Sequence, residues 1–234
     1  MKMKDKKAEQ IELKKRHKEK LKENRRTEPT FDRPEPKLVE KPTILIVCEG
    51  ENTEPSYFKQ FRLSSATIKP VGEGYNTIAL VNRAIKIANQ GSYEQVWCVF
   101  DKDDFPDIDF NNAISIAEAN NFGVAYSNQA FEYWIILHFD DHQGGGMHRD
   151  DYNNKINNLL KPYKIVYDGT KSKIISEDIF ELLDGIDEKT KIERKILAIE
   201  RAKRNLNLFD QINPAKEEST TTVFKLVEEL LRYV

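Results

Sequence analysis

Thr43-Ile44-Leu45-Ile46-Val47-Cys48-Glu49-Gly50-Glu51 and Val96-Trp97-Cys98-Val99-Phe100-Asp101-Lys102-Asp103-Asp104 decide how this chain is read. Each is a short apolar run that stops at a cluster of acids. A run with no polar interruption fits a strand buried on both faces, as in parallel sheets. In open α/β sheets the ligand crevice lies beyond the carboxyl ends of the strands, often where strand order reverses. If the two strands are neighbours, Glu49, Asp101 and Asp103 meet there. Three carboxylates in one place repel unless a cation neutralises them, and hard oxygen donors select Mg²⁺ or Mn²⁺. The expectation is divalent-metal chemistry, with phosphate the leading substrate.

The residues beside these acids refine that reading. Gly50 lets backbone or phosphate approach Glu49 closely. Glu54 falls in the first turn of the next helix and faces the same crevice, although a carboxylate there also simply improves the helix dipole. The N-terminus of that helix suits a phosphate. Asp101 and Asp103 are two apart, so in extended backbone they point to one side while Lys102 and Asp104 point away. A lone DxD says little, but after so apolar a strand, and with the first cluster, it says much. Asp104 reads equally as a helper ligand or as a solvated turn residue.

Working outward, Thr53 as N-cap and Pro55 in the first turn predict a helix through Tyr57, Phe58 and Phe61. Thr67 to Val71 reads as a second strand and Gly72 to Gly74 as a turn. Asn76 is expected to cap a helix whose apolar face is Ile78, Val81, Ile85 and Ala88. A strand over Glu94 to Asp101 follows. Pro106 then opens a helix through Ile108, Ala113, Ile116 and Ala117, and Phe122 to Tyr126 makes a further strand. This alternation predicts an α/β fold with a doubly wound, mostly parallel Rossmann-like sheet. Ser127 or Asn128 is expected to cap the next helix, on which Phe131, Trp134, Ile135 and His138 share a face. Glu132 and His138 both border the crevice on this reading, Glu132 to assist catalysis. His138, beside Leu137 and Phe139, reads better as a satisfied core histidine than as a phosphate ligand. A zinc site from His138, His142, His148, Asp140 and Asp141 is disfavoured by the intervening Gly144-Gly145-Gly146 and the irregular spacing. Beyond those glycines the chain turns helical, most clearly over Asp187 to Leu208 and Thr222 to Tyr233. The expected organisation is a basic arm and linker over 1–41, an α/β catalytic domain over 42–140, and a helical accessory region packed on it over 141–234.

With 39% hydrophobic and 32% charged residues, the 234-residue chain reads as a soluble protein with a polar surface. No apolar stretch approaches the roughly 18 residues that span a bilayer, and no apolar segment follows the N-terminal charges, so a cytoplasmic location is expected. Cys48 and Cys98 lie inside predicted strands and read as small buried hydrophobes. Residues 1–41 carry 15 Lys+Arg against 9 Asp+Glu, a balance of +6, and the remainder 22 against 30, a balance of −8. A basic arm on an acidic body suits a polyanion such as nucleic acid, with Lys14, Lys15, Arg16 and, in the body, Lys102 as candidate contacts; a solvated tail is the plainer alternative. Pro29, Pro34 and Pro36 mark an extended linker.

Cys48-Glu49-Gly50-Glu51-Asn52-Thr53-Glu54 with Tyr57-Phe58, followed by Phe100-Asp101-Lys102-Asp103, resembles the Toprim signature, a Glu-Gly after one strand and a DxD after a later one. With Asn128-Gln129-Ala130-Phe131-Glu132, Asn213-Pro214 and Thr220-Thr221-Thr222-Val223, the chain resembles the RloB-like family over roughly residues 41–234. Family members usually show Asn-Pro where this chain has Asn128-Gln129. The resemblance implies Mg²⁺-dependent cleavage of phosphodiester bonds in RNA, tRNA being a candidate, or in DNA. It implies Glu49 as general acid/base and metal contact, Asp101 and Asp103 as Mg²⁺ ligands, and Glu54 as a contributor to a second metal. It also implies an effector role in antiphage defence, through abortive infection or a restriction–modification locus, beside an ABC-type ATPase. Two rivals remain. A haloacid-dehalogenase-type phosphohydrolase also places DxD after an apolar strand but leaves Glu49 unexplained. A non-catalytic subunit would use the acids only to bind metal or dock an ATPase. The oligomeric state stays open, a homodimer included.

Overall fold

The structure is a computed structural model that describes residues 12–20, 42–70, 77–103 and 106–234. These divide into two units with the boundary between Glu40 and Lys41. In the first, residues 12–20 form a helix, α1, exposed along its whole length. The second unit begins with β1 (Ile44–Cys48), whose five residues are completely buried. A strand of that composition needs a hydrophobic layer on each face, and both are present. Ile44, Ile46 and Cys48 join one core with Val99, Phe131, Trp134 and Leu226, while Leu45 and Val47 join the other with Leu80, Cys98, Phe100 and Phe110.

The remaining elements are α2 (Thr53–Lys59), β2 (Ala66–Pro70), α3 (Thr77–Ala88), β3 (Gln95–Lys102), α4 (Asp107–Ala119), β4 (Gly123–Asn128), α5 (Glu132–Leu137), α6 (Arg149–Leu160), α7 (Glu177–Asp184), α8 (Arg194–Leu206) and α9 (Val223–Leu231). The strands form one sheet in the order β2-β1-β3-β4, and every pairing is parallel. Helices α3 and α4 supply the core on one face, and α2, α5 and α9 contribute to the core on the other. The fold is a doubly wound, Rossmann-like α/β sheet with helices following it. Both cysteines are free and buried, one in each core, and burial raises both thiol pKa values. Among the described residues no helix is long and apolar enough to cross a membrane.

The outer edge of β4 is covered by a returning segment rather than left open, which removes an edge on which another chain could pair. The Thr222 N–H donates to the Tyr126 carbonyl at 2.8 Å, and the Asn128 N–H donates to the Thr220 carbonyl at 2.8 Å. The Ser127 and Thr221 hydroxyls lie 3.0 Å apart. The Thr220-Thr221-Thr222 motif, and Pro214 through its carbonyl, which accepts from the Asn128 amide, therefore fasten the C-terminal region to the sheet, while Asn213 bonds Asn111 on α4.

Several boundaries differ from those expected. Asn52, not Thr53, is the N-cap of α2. Ser127 and Asn128 do not cap a helix: they end β4, and α5 starts at Glu132 behind Phe131. The expected Ile78, Val81, Ile85 and Ala88 face of α3 does pack on the core, with Leu80 and Ala84 beside Val81 as its fully buried centre, whereas Ile108 on α4 is exposed. The long helix expected from Asp187 begins only at Arg194. Asp187 instead folds a turn, its carboxylate accepting from the Lys189 N–H at 3.1 Å and the Thr190 N–H at 2.8 Å. Local side-chain bonding of this kind outcompetes a helical start. The Pro-rich linker, the Gly72–Gly74 turn, the Asn76 cap and Asp104 lie outside the described residues.

Candidate functional site

The chain leaves β1 for β2 on one side and returns to β3 on the other, so the strand order reverses between β1 and β3. That is where a doubly wound sheet opens its crevice. Cys48 stands opposite Val99 in the parallel register. The Glu49 N–H continues the ladder to the Val99 carbonyl at 2.9 Å, and the Asp101 N–H donates back to Glu49 Oε2 at 3.1 Å. A cavity of about 520 Å³ opens beyond these strand ends, and Glu49, Glu54, Asp101, Asp103 and Glu132 all line it. The sequence-predicted acids are thus brought to one place.

Each further acid has a local reason for its position. Glu54 is the second residue of α2 and only 5% exposed. A Cβ at Gly50 would overlap Glu54 Oε2, so the glycine leaves the space the carboxylate fills. Glu132 opens α5, and its Oε1 accepts from the Tyr167 hydroxyl at 2.7 Å. That hydroxyl also lies 3.4 Å from Thr53 Oγ1, joining α5 to α2.

The electrostatics follow from crowding acids at a partly buried spot. Burial first, then Asp103 and Glu54, push the Glu49 pKa up to about 7, against the Asp101 N–H and Arg149, which lower it. Burial and the Glu132 charge raise Glu54, opposed by backbone N–H groups and Lys173. Burial, then Glu54, Glu132 and Glu49, hold Asp101 well above the ordinary carboxylate range. Such a cluster takes up either protons or a cation. Among the described residues no three His, Cys, Asp or Glu side chains are already set to hold a metal ion. Glu49 and Glu132 are instead turned to the N–H and O–H donors just described. The donor set itself, carboxylate oxygens without sulfur or imidazole, fits a hard divalent cation of the Mg²⁺ or Mn²⁺ type.

A protein-family profile described as RloB-like protein matches residues 44–230. The chain belongs to the RloB-like family. No curated protein and no solved structure matches it. The match runs from β1 into α9, so it takes in the acid cavity and the segment that fastens the C-terminal region to β4.

Other expected site residues of this RloB-like chain lie elsewhere. Lys102 lines a smaller neighbouring cavity of about 310 Å³, where its Nζ is 3.2 Å from Asp107 Oδ1 and donates to the Asp103 carbonyl at 2.8 Å. Asn128 lines the same small cavity, and its amide donates to the Pro214 carbonyl at 2.8 Å, fastening the C-terminal segment to β4. His138 is buried in the core against Trp134, its Nδ1 2.9 Å from the Trp134 carbonyl, and burial drives its pKa down to about 3. It does not border the cavity, and a neutral imidazole with this partner is a packing residue. His142 bonds the Tyr133 hydroxyl and His148 caps α6, so the zinc reading has no support among the described residues. Lys14, Lys15 and Arg16 are exposed on α1.

The cavity wall contributed by the C-terminal half was not anticipated. Arg149, Asn153, Thr170 and Lys173 line it opposite the strand ends. They are single residues in polar stretches, with no spacing that sets them apart. Arg149 alone carries a signal, being a cation in the first turn of a helix where the dipole disfavours one.

Proposed function

We propose that this RloB-like chain is a Mg²⁺- or Mn²⁺-dependent endonuclease of the Toprim type, hydrolysing phosphodiester bonds of RNA, with tRNA a candidate, or of DNA. The observation that carries this reading is the meeting of Glu49, Glu54, Asp101, Asp103 and Glu132 in a cavity that Glu51 and Asp150 also line, with the pKa values of Glu49, Glu54 and Asp101 raised. Glu49, Asp101 and Asp103 would hold the ion, which when bound supplies charge neutralisation and polarisation of a phosphate oxygen. Glu49, held near neutrality, is matched to giving or taking a proton at the oxygen not engaged by the Asp101 N–H. Glu54, kept protonated more easily than a free carboxylate, and Glu132, oriented by Tyr167, would serve as further proton carriers or as ligands of a second ion. Lys14, Lys15 and Arg16 on the exposed arm, with Lys102 beside the cavity, would contact the nucleic-acid backbone. The resemblance noted in the sequence supports an effector role in antiphage defence beside an ABC-type ATPase.

The test is incubation of the purified protein with labelled tRNA and with plasmid DNA, in Mg²⁺, Mn²⁺ or EDTA. Cleavage is expected only with a divalent ion and is expected to vanish in Asp101→Ala and Asp103→Ala without unfolding. Cleavage indifferent to EDTA, or full activity in both variants, would overturn the metal reading.

A further inference from the structure

We propose that Arg149 and Lys173 form a two-sided clamp for a phosphate group of the substrate, an assignment that rests on reading the acid cavity as a phosphodiester site. Among the described residues they are the two cations that line this cavity. Without them the wall facing the carboxylates would offer a phosphate only Asp150 and neutral groups such as Tyr152, Asn153 and Thr170.

Among the described residues neither cation is used up by a close ion pair. Arg149 Nη1 is 3.9 Å from Asp103 Oδ2, beyond hydrogen-bond distance, and its side chain is 37% exposed. Lys173 makes no salt bridge among the described residues and acts on Glu54 from farther away, lowering its pKa. Arg149 in turn lowers Glu49. The pair therefore brackets the acids, Arg149 towards Glu49 and Asp103, Lys173 towards Glu54. A cation bound by the acids would cancel the charge that draws both side chains inward and leave their donors for phosphate oxygens. A guanidinium fork beside a point-charge ammonium is a common way to grip a phosphate.

Both residues are held where local preference would not put them. Arg149 opens α6 at the unfavourable end of the helix dipole, with Asp150 and Asp151 next to it in the first turn. Lys173 has φ 49°, the left-handed region that side chains other than glycine rarely adopt. Its N–H donates to the Asp168 carbonyl at 2.8 Å, while the Asp168 carboxylate accepts from the N–H groups of Thr170, Lys171 and Ser172. Two residues on, the Ile175 N–H donates to Ser56 Oγ at 2.8 Å. Ser56 belongs to α2, the helix that carries Glu54, so one element fixes both the acid and the lysine that answers it.

The test uses the full-length chain and its Arg149→Gln, Lys173→Gln and double variants, with Arg149→Lys and Lys173→Arg as charge-retaining controls. Mg²⁺ binding is followed by thermal shift. Anion binding is followed by the further shift on adding inorganic phosphate, and by the anisotropy of a fluorescent single-stranded oligonucleotide. Each Gln variant is expected to bind Mg²⁺ at least as well as the parent, since a competing cation is gone. Each is expected to bind both anions about tenfold more weakly, with the charge-retaining variants keeping most of the affinity. Unchanged anion affinity in both Gln variants overturns the clamp, as does loss of Mg²⁺ binding in step with anion binding. A parent protein that binds neither anion also overturns it. A parent protein without a Mg²⁺ shift defeats the metal reading instead, and the clamp is then judged on anion binding in metal-free buffer.

Discussion

A methyl group at position 50 would overlap Glu54 Oε2, so Gly50→Ala is accommodated only by moving that carboxylate. The moving atom is the end of a flexible side chain, so the fold should survive. A displacement of about 1 Å in a reacting group costs about a hundredfold in rate. The expected outcome is cleavage reduced by one to two orders of magnitude, read from initial rates, beside a thermal unfolding midpoint close to the parent's. A parent-like rate would remove Glu54 from the mechanism. The raised carboxylates also make a stability prediction whose sign is fixed. Glu49, Glu54 and Asp101 are harder to ionise in the folded protein than in the unfolded chain. Their favourable contribution is complete below the unfolded carboxylate range, near pH 4, and is lost as pH rises through about 7, the Glu49 value. In EDTA, Glu54→Gln should therefore gain stability over the parent between pH 5 and 8, by about 1–2 kcal/mol, or about 3–6 °C in midpoint. Mg²⁺ should raise the parent midpoint more at pH 8 than at pH 5, because the ion needs the ionised acids. A midpoint difference between variant and parent that shrinks towards pH 8 would contradict this account.

At the scale of elements, β1 and β3 were legible because a strand buried on both faces has no polar position at which to disguise itself. Their acids were legible because they stand at the last paired residues, where the sheet stops protecting the backbone. Caps and helix starts were harder to read. Asn128 resembles a cap in sequence, yet its amide is claimed by the Pro214 carbonyl, a partner 86 residues away. Asp187-Glu188-Lys189-Thr190 has helical composition, but a carboxylate that accepts two local N–H groups makes a turn of it. The cavity wall from α6 and the loop after it was illegible for a similar reason, since its residues gain meaning only from what they face. Asn157 shows how that wall is held. Its amide donates to the Tyr167 carbonyl at 2.8 Å and accepts from the Tyr167 N–H at 2.9 Å, fixing the tyrosine whose hydroxyl reaches Glu132. Asn157→Ala leaves two backbone groups without partners and should cost about 1–3 kcal/mol. It should also lower cleavage by more than Tyr167→Phe, which loses the hydroxyl alone. Equal rates in both variants, measured where both are folded, would mean that the backbone clamp adds nothing to the placing of Glu132.

Across the whole molecule, charge is divided as structure is, with the basic arm falling in one unit and the acid cavity in the other. An acidic body repels the polyanion proposed as its substrate, and the arm's balance of +6 over residues 1–41 offers the compensating attraction. Lys14, Lys15 and Arg16 stand on the exposed helix α1, where they can neutralise phosphates without any burial cost. Among the described residues the first that lines the cavity is Glu49, so the proposed ligands and proton carriers all remain when residues 1–41 are deleted. The truncated protein should therefore cleave a saturating substrate at nearly the parent rate. Its affinity should fall, and the slope of log affinity against log salt should flatten by nearly one for each phosphate that the arm no longer neutralises. Fluorescence anisotropy on a labelled tRNA across a salt series, with Ca²⁺ in place of Mg²⁺, measures both quantities. An unchanged affinity and slope would reassign the arm to a protein partner, and a pull-down with and without the arm, using the ABC-type ATPase proposed above as bait, would then decide whether that ATPase is what it touches.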